Sequence, residues 1–120
     1  EGLSQIDYTN NLTLIGVTGE FGFGKVIAVG EYLLDEQCNL AEVAFSVTKD
    51  WQGKGLGQIL MKKLALAASE NGIKGLMAYT TPNNRAMVAL FRTLPYKTTT
   101  KAEEDVLLLT CHFDRPKEEA

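Results

Sequence analysis

The chain has 120 residues, 45% of them hydrophobic and 22% charged, the composition of one ordinary globular domain with enough apolar material to bury a core. Its formal net charge of −3 gives no basic surface to draw it to nucleic acid or to an anionic membrane, so any anion site has to be local. No apolar run approaches the roughly 18 residues of a membrane span, and neither nucleic acid nor membrane is expected as a partner.

In chain order, residues 12–17, 26–34 and 40–47 are β-rich runs separated by two turn-like stretches, 19–24 and 35–39, which is the pattern of an antiparallel meander. Gly19, Gly24 and Lys25 give the first stretch the outline of a P-loop. Val26, however, stands where a magnesium-binding Ser or Thr is needed, and a strand follows where a helix is needed. A hairpin turn with positive φ at Gly19, Gly22 and Gly24 accounts for the same glycines without a ligand. From Leu56 the period changes: Leu56, Leu60, Leu64, Ala67 and Ala68 fall on one helical stripe, Lys62, Lys63 and Glu70 lie off it, and Gly72 closes the helix as a C′ glycine.

Residues 73–80 read as a further strand. Pro82, Asn83 and Asn84 then start a short helix carrying Met87, Leu90, Phe91 and Leu94 at i, i+3, i+4 and i+7. After Pro95, residues 96–100 and 106–113 form a closing hairpin around 101–105, and 115–120 is a frayed charged tail. The order β-β-β-α-β-α-β-β is that of a mixed α+β domain. Cys38 and Cys111 are far apart, and the single histidine, His112, directly follows Cys111, a poor spacing for a metal ligand set. Reduced thiols in a cytoplasmic protein without a bound metal are the expectation.

The most informative run is Trp51, Gln52, Gly53, Lys54, Gly55, Leu56 and Gly57, which joins the third strand to the first helix. Alternate glycines let successive backbone N–H groups converge at a helix N-terminus, a geometry suited to a pyrophosphate. The spacing is not the Rossmann Gly-x-Gly-x-x-Gly, and a purely structural tight turn is the competing reading.

Gln52, Gly55 and Gly57 match the Gln/Arg-x-x-Gly-x-Gly/Ala signature of the GCN5-related N-acetyltransferase (GNAT) family, which the chain resembles. Asn84, followed seven residues later by Phe91, reproduces a further family feature, and the resemblance runs over residues 12–113. The wording of Ala41, Glu42, Val43, Ala44 and Phe45, with that of the glycine loop, is similar to bacterial protein lysine acetyltransferases that modify acyl-CoA synthetases. The resemblance implies a three-layer fold: a mostly antiparallel sheet splayed between the family's fourth and fifth strands, with flanking helices. Relative to that plan the first strand and most of the first two helices are missing, with residues 1–7 as the end of the second. The expectation is a single GNAT domain over residues 1–120, excised from a longer chain.

The resemblance further implies acetyl-CoA as co-substrate, lying in the V between the splayed strands. Its pyrophosphate would meet the N–H groups of Gly53, Lys54, Gly55, Leu56 and Gly57, and its pantetheine would run along Phe45, Ser46 and Val47. Gln52, Asn84, Met87 and Phe91 complete the implied cofactor-binding set, with Asn84 as the side-chain contact to the pantetheine arm. A backbone N–H near Val47 would polarise the thioester carbonyl.

A lysine acceptor arrives as ammonium. At the ordinary lysine pKa of about 10.4, only about one in 2500 is neutral at pH 7, so a base is needed. Glu42 is the candidate, directly or through a water: alternation places it on the face opposite Val43 and Phe45, and a carboxyl in an otherwise apolar strand is expected to titrate high. The alternative is a Glu paired with a neighbouring basic residue. Where the family often has a tyrosine as general acid, this chain has Phe91, which cannot donate a proton. A thiol of pKa about 8.5 can nevertheless leave as thiolate. Tyr79 and Tyr96 are substitutes in principle but read better as packed aromatics.

Pro95 replaces the glycine usual in the family before the final aromatic, Tyr96. Trp51 is a core or rim aromatic or a cover for the cofactor, and Lys54 is a candidate phosphate contact. The function so implied is direct acetyl transfer from acetyl-CoA to a protein lysine. An acyl-CoA-binding regulatory module and a small-molecule amine acetyltransferase are the alternatives.

Overall fold

The computed structural model describes residues 10–19 and 24–117, so the readings placed on residues 1–7 and on Gly22 lie outside the described residues. The elements are β1 (Asn11–Thr18), β2 (Lys25–Asp35), β3 (Leu40–Val47), α1 (Leu56–Glu70), β4 (Gly75–Thr80), α2 (Arg85–Arg92), β5 (Tyr96–Glu103) and β6 (Val106–Pro116), with a turn of 3-10 helix at Lys49–Trp51. They follow the expected order. β1, β2 and β3 form the antiparallel meander. β4 then lies parallel to β3, a pairing that needs a crossover, and α1 is that crossover. β6 inserts between β4 and β5, so the six strands run β1-β2-β3-β4-β6-β5.

Both helices pack on one face of this sheet. Leu64 of α1 and Phe91 of α2, both without exposed surface, meet Leu76 of β4 and Leu109 of β6 in one core. Alternation in β3 is regular: Ala41 and Val43 are buried on this face, and Glu42 and Ala44 are exposed on the other. α1 ends as expected, with Asn71 as its cap and Gly72 at φ 79°. Asn84 caps α2, its Oδ1 accepting from the Met87 N–H at 3.1 Å. Replacing Asn84 with Ala is expected to cost about 1 kcal/mol of stability, read as a lower midpoint in urea with an unchanged slope.

Four local expectations are corrected. The loop at 101–105 shrinks to Glu104 and Asp105, because β5 continues in register to Glu103 and Glu104 takes a positive φ of 51°. The tail is ordered further than expected: Tyr96 pairs with Pro116, and the Lys117 N–H donates to the Pro95 carbonyl at 3.2 Å. Gly19 has the positive φ expected of it, 107°, whereas Gly24 is required because a Cβ there would collide with the Val17 side chain. Of the two tyrosines, Tyr96 packs edge-on against Phe113 with ring centroids 5.2 Å apart, but Tyr79 is 57% exposed.

The face away from the helices carries Ile15 and Leu33 as well as Tyr79, all more than half exposed. The described residues therefore supply two of the three layers of the expected plan, the sheet and one helical layer. The feature that positions a site is the join of β3 to β4. Their register covers only Leu40 with Gly75, Ala41 with Leu76, and Glu42 with Met77. Past Glu42 and Met77 the strands part, which is the implied splay.

Candidate active site

The gap between the parted strands is a cleft of about 640 Å³. Phe45 and Val47 of β3 form one wall, Asn84, Ala86, Met87 and Leu90 the other, and Trp51, Gln52, Gly53, Gly55, Leu56 and Gly57 close the end. Backbone direction along β3 follows from two hydrogen bonds. The Thr48 N–H donates to the Ile27 carbonyl of β2 at 2.8 Å, and the Asn39 carbonyl accepts from the Lys74 N–H, just before β4, at 2.9 Å. Because peptide groups alternate along a strand, those of Phe45 and Val47 turn toward β4. Beyond Glu42, β4 is no longer in register to meet them. The Val47 carbonyl is taken by Gln52, whose Nε2 donates to it at 3.1 Å. Gln52 thus ties the glycine loop to the end of the strand.

The loop then delivers the helix. Gly53 and Gly55 sit at φ 76° and 84°, the left-handed region that other residues enter at a cost of about 1–2 kcal/mol, and a Cβ on either would meet nothing within 4 Å. Conformation, not crowding, requires glycine at both. Gly57 is different: it lies within α1, and its Cβ would stand 3.3 Å from Leu90, so glycine there lets α2 approach. The Ile59 N–H donates to the Gly55 carbonyl at 3.1 Å, which leaves the amides of Leu56, Gly57 and Gln58 ahead of the intrahelical ladder. No side chain caps this terminus and its first turn holds no acidic residue. Open donors and the positive end of the helix dipole together make an anion cradle.

This arrangement makes Gln58→Glu informative. A carboxylate in the first turn interacts favourably with the dipole and should raise stability by about 0.5 kcal/mol. The same charge would repel an anion held in this cradle, so if the phosphates of CoA bind there it would weaken CoA binding about tenfold at low salt, less at high salt. Thermal unfolding and calorimetric titration with CoA would read the two opposed signs. If affinity did not fall, the phosphates would lie elsewhere.

Of the residues expected at the site, the structure gathers Phe45, Val47, Gln52, Gly53, Gly55, Leu56, Gly57, Asn84 and Met87 around the cleft. Asn84 has both ends of its amide engaged, the Nδ2 donating to Thr80 Oγ1 at 2.7 Å, so it joins the end of β4 to the start of α2. Ser46 points to the other face by alternation. Lys54 is drawn to the Trp51 ring, its Nζ 6.0 Å from the centroid, and Trp51 itself lines the cleft as a rim aromatic. Phe91 is fully buried in the core and does not line the cleft.

Glu42 stands where the strands begin to part, exposed on the face opposite the cleft walls, in a hollow of about 380 Å³ shared with Glu31 and Ala44. The burial that its expected behaviour relied on is missing, and no ion pair holds it among the described residues. Cys111 is buried and its thiol is pushed up by desolvation, partly offset by a hydrogen bond with the Leu76 backbone, which removes it as a ready nucleophile. Cleft residues that the sequence reading passed over are Gln58, Ala86, Ala89 and Thr93. Three of these lie at i, i+3 and i+7 along α2 and its cap, Thr93, and the two alanines keep that wall low, a signal visible only once the helix is known to flank a cleft.

Comparison with known proteins bears on these features. The model of the acetyltransferase (GNAT) family matches residues 3–94. Over 88 residues the chain is 34% identical to the acetyltransferase Pat of Mycolicibacterium smegmatis, covering 72% of this chain and 26% of that protein. Over 85 residues it is 28% identical to an acetyltransferase of Pseudomonas aeruginosa, covering 71% and 46%. The chain thus spans less than half of either relative. Among solved structures, the GNAT domain of S. lividans PAT superposes with a TM-score of 0.75 at 26% identity, covering 91% of this chain and 64% of that one. A cAMP-binding acyltransferase from Mycobacterium smegmatis superposes with a TM-score of 0.72 at 28% identity, covering 91% and 33%. With a family match across most of its length and the family's splayed sheet and glycine loop in place, the chain belongs to the GNAT family of acetyltransferases.

Proposed function

We propose that this domain transfers the acetyl group of acetyl-CoA to the ε-amine of a protein lysine, directly and in a ternary complex, with Glu42 as general base. The observation that carries the reading is the open edge of β3, whose Phe45 and Val47 peptide groups face an unfilled wedge that ends at the uncapped N-terminus of α1. Acetyl-CoA is an extended molecule with amides along its pantetheine arm and a pyrophosphate at one end. The arm can pair with β3 as an added strand would, while the pyrophosphate takes the amides of the loop and helix start. Lys54, within the loop, is available to the phosphates, and the Phe45 N–H, the first to turn toward the gap beyond the parting point, to the thioester carbonyl. Phe91 supports the walls from beneath.

The apex of the wedge separates the two substrates. With acetyl-CoA between the strands, its thioester lies near the parting point, and an amine reaching it from the opposite face passes Glu42. The resemblance of Ala41, Glu42, Val43, Ala44 and Phe45 and of the glycine loop to bacterial protein lysine acetyltransferases supports a protein acceptor, and an acyl-CoA synthetase is the first to try. We place the reaction in the cytoplasm, consistent with the free thiols of Cys38 and Cys111. No helix among the described residues is long and apolar enough to cross a membrane.

The test is CoA thiol release from acetyl-CoA with a purified acyl-CoA synthetase, its lysines read by mass spectrometry. Acetyl-lysine formed only with the enzyme present supports the reading. Acetyl-CoA binding without transfer to protein or to small amines would favour a regulatory module. Acetylation of a polyamine or amino acid alone would move the acceptor to small molecules.

A further inference from the structure

We propose that Tyr79 is a specificity-determining residue on the acceptor side, its ring forming the wall on which the aliphatic stem of the incoming lysine lies. The proposal rests on the lysine reading above. Ala78 is buried on the helical side of β4, so alternation turns Tyr79 to the opposite face, where Glu42 also stands. Met77 is the last residue of β4 in register with β3, and its partner there is Glu42. Tyr79 is the next residue of β4 on that face. The two therefore stand on opposite lips of the wedge, close to where it opens.

The surroundings of Tyr79 fit a lysine. A hollow of about 850 Å³ lies beside it, with Val106 and Leu108 as its apolar part, Leu108 being the cross-strand partner of Tyr79. The Tyr79 ring with Val106 and Leu108 beside it makes an apolar strip on which four methylenes can lie under a charged head, while the head stays in a polar setting. Charge agrees. Lys101 and Glu103 on the rim are paired at 3.2 Å, which leaves the carboxylates of Glu104 and Asp105 at the hairpin tip to face the acceptor. An acceptor with basic residues flanking its lysine is favoured there over one with acidic flanks.

The experiment measures steady-state kinetics of wild type, Tyr79→Ala and Tyr79→Phe on two synthetic lysine peptides, one with arginine flanks and one with glutamate flanks. Acetyl-CoA affinity and thermal stability are measured alongside. Tyr79→Ala is expected to raise KM for the arginine-flanked peptide about tenfold with kcat and acetyl-CoA affinity little changed, and Tyr79→Phe to behave as wild type. Wild type is expected to prefer the arginine-flanked peptide. An unchanged peptide KM in Tyr79→Ala overturns the assignment of Tyr79 alone. Equal losses of kcat in both variants also overturn it, by making the hydroxyl part of the chemistry. No wild-type turnover of either peptide, with a polyamine acetylated instead, defeats the lysine reading and the assignment with it.

Discussion

Glu42→Gln should lower kcat by about two to four orders of magnitude while leaving acetyl-CoA affinity almost unchanged. The two expectations rest on separate parts of the molecule. In the proposed reading, affinity comes from the edge of β3 and the start of α1, which face the cleft, whereas Glu42 lies on the far side of the sheet. Glutamine preserves shape and hydrogen bonding but cannot take the proton that an ammonium must lose, a step worth about 4.6 kcal/mol at pH 7. The pH dependence sharpens the test. Without the base, log(kcat/KM) in the variant should climb with a slope near one as pH rises toward the amine pKa of about 10.4, because each unit makes about ten times more neutral amine. A variant that keeps wild-type kcat would remove Glu42 from the chemistry. The next carboxylate to try would then be Glu31, in the same hollow.

Much of this site is legible in the sequence, because its parts are local. The stripe of Leu60, Leu64 and Ala68 gives α1 its buried side, alternation in β3 separates Glu42 from Val43, and Asn84 caps α2 as a helix start should. Gly53 and Gly55 are required by their own backbone conformations, which the turn-forming composition signals. What depends on tertiary neighbours is not legible. Gly57 looks like a third loop glycine but serves the approach of Leu90, and Gln52 looks like a ligand contact but holds the Val47 carbonyl. Tyr79 sits in a strand apolar enough to suggest burial on both faces, and Met77 on its face is buried, yet Tyr79 itself is left 57% exposed by the described residues. The parting of β3 from β4 carries no mark in either strand.

Phe91 shows how one helical period serves two readings, and its replacement should separate them. The i, i+3, i+4, i+7 stripe of Met87, Leu90, Phe91 and Leu94 points to the core, and the structure puts Phe91 there with no exposed surface, beside Leu94 and Leu109. Phe91→Ala should therefore cost about 3–5 kcal/mol of stability by lost burial and a residual cavity, a large part of the roughly 5–15 kcal/mol typical of a whole domain. Urea unfolding followed by circular dichroism would measure it. Phe91→Tyr restores the residue that the family often uses as a general acid, and it tests whether the position can act in catalysis here. A phenolic hydroxyl at this depth needs a partner, so the variant should lose about 1–3 kcal/mol of stability and gain nothing in kcat. A rise in kcat would show that the hydroxyl reaches the cleft through a shift of α2. The thiolate would then leave with a proton from the protein, not unaided at its own pKa.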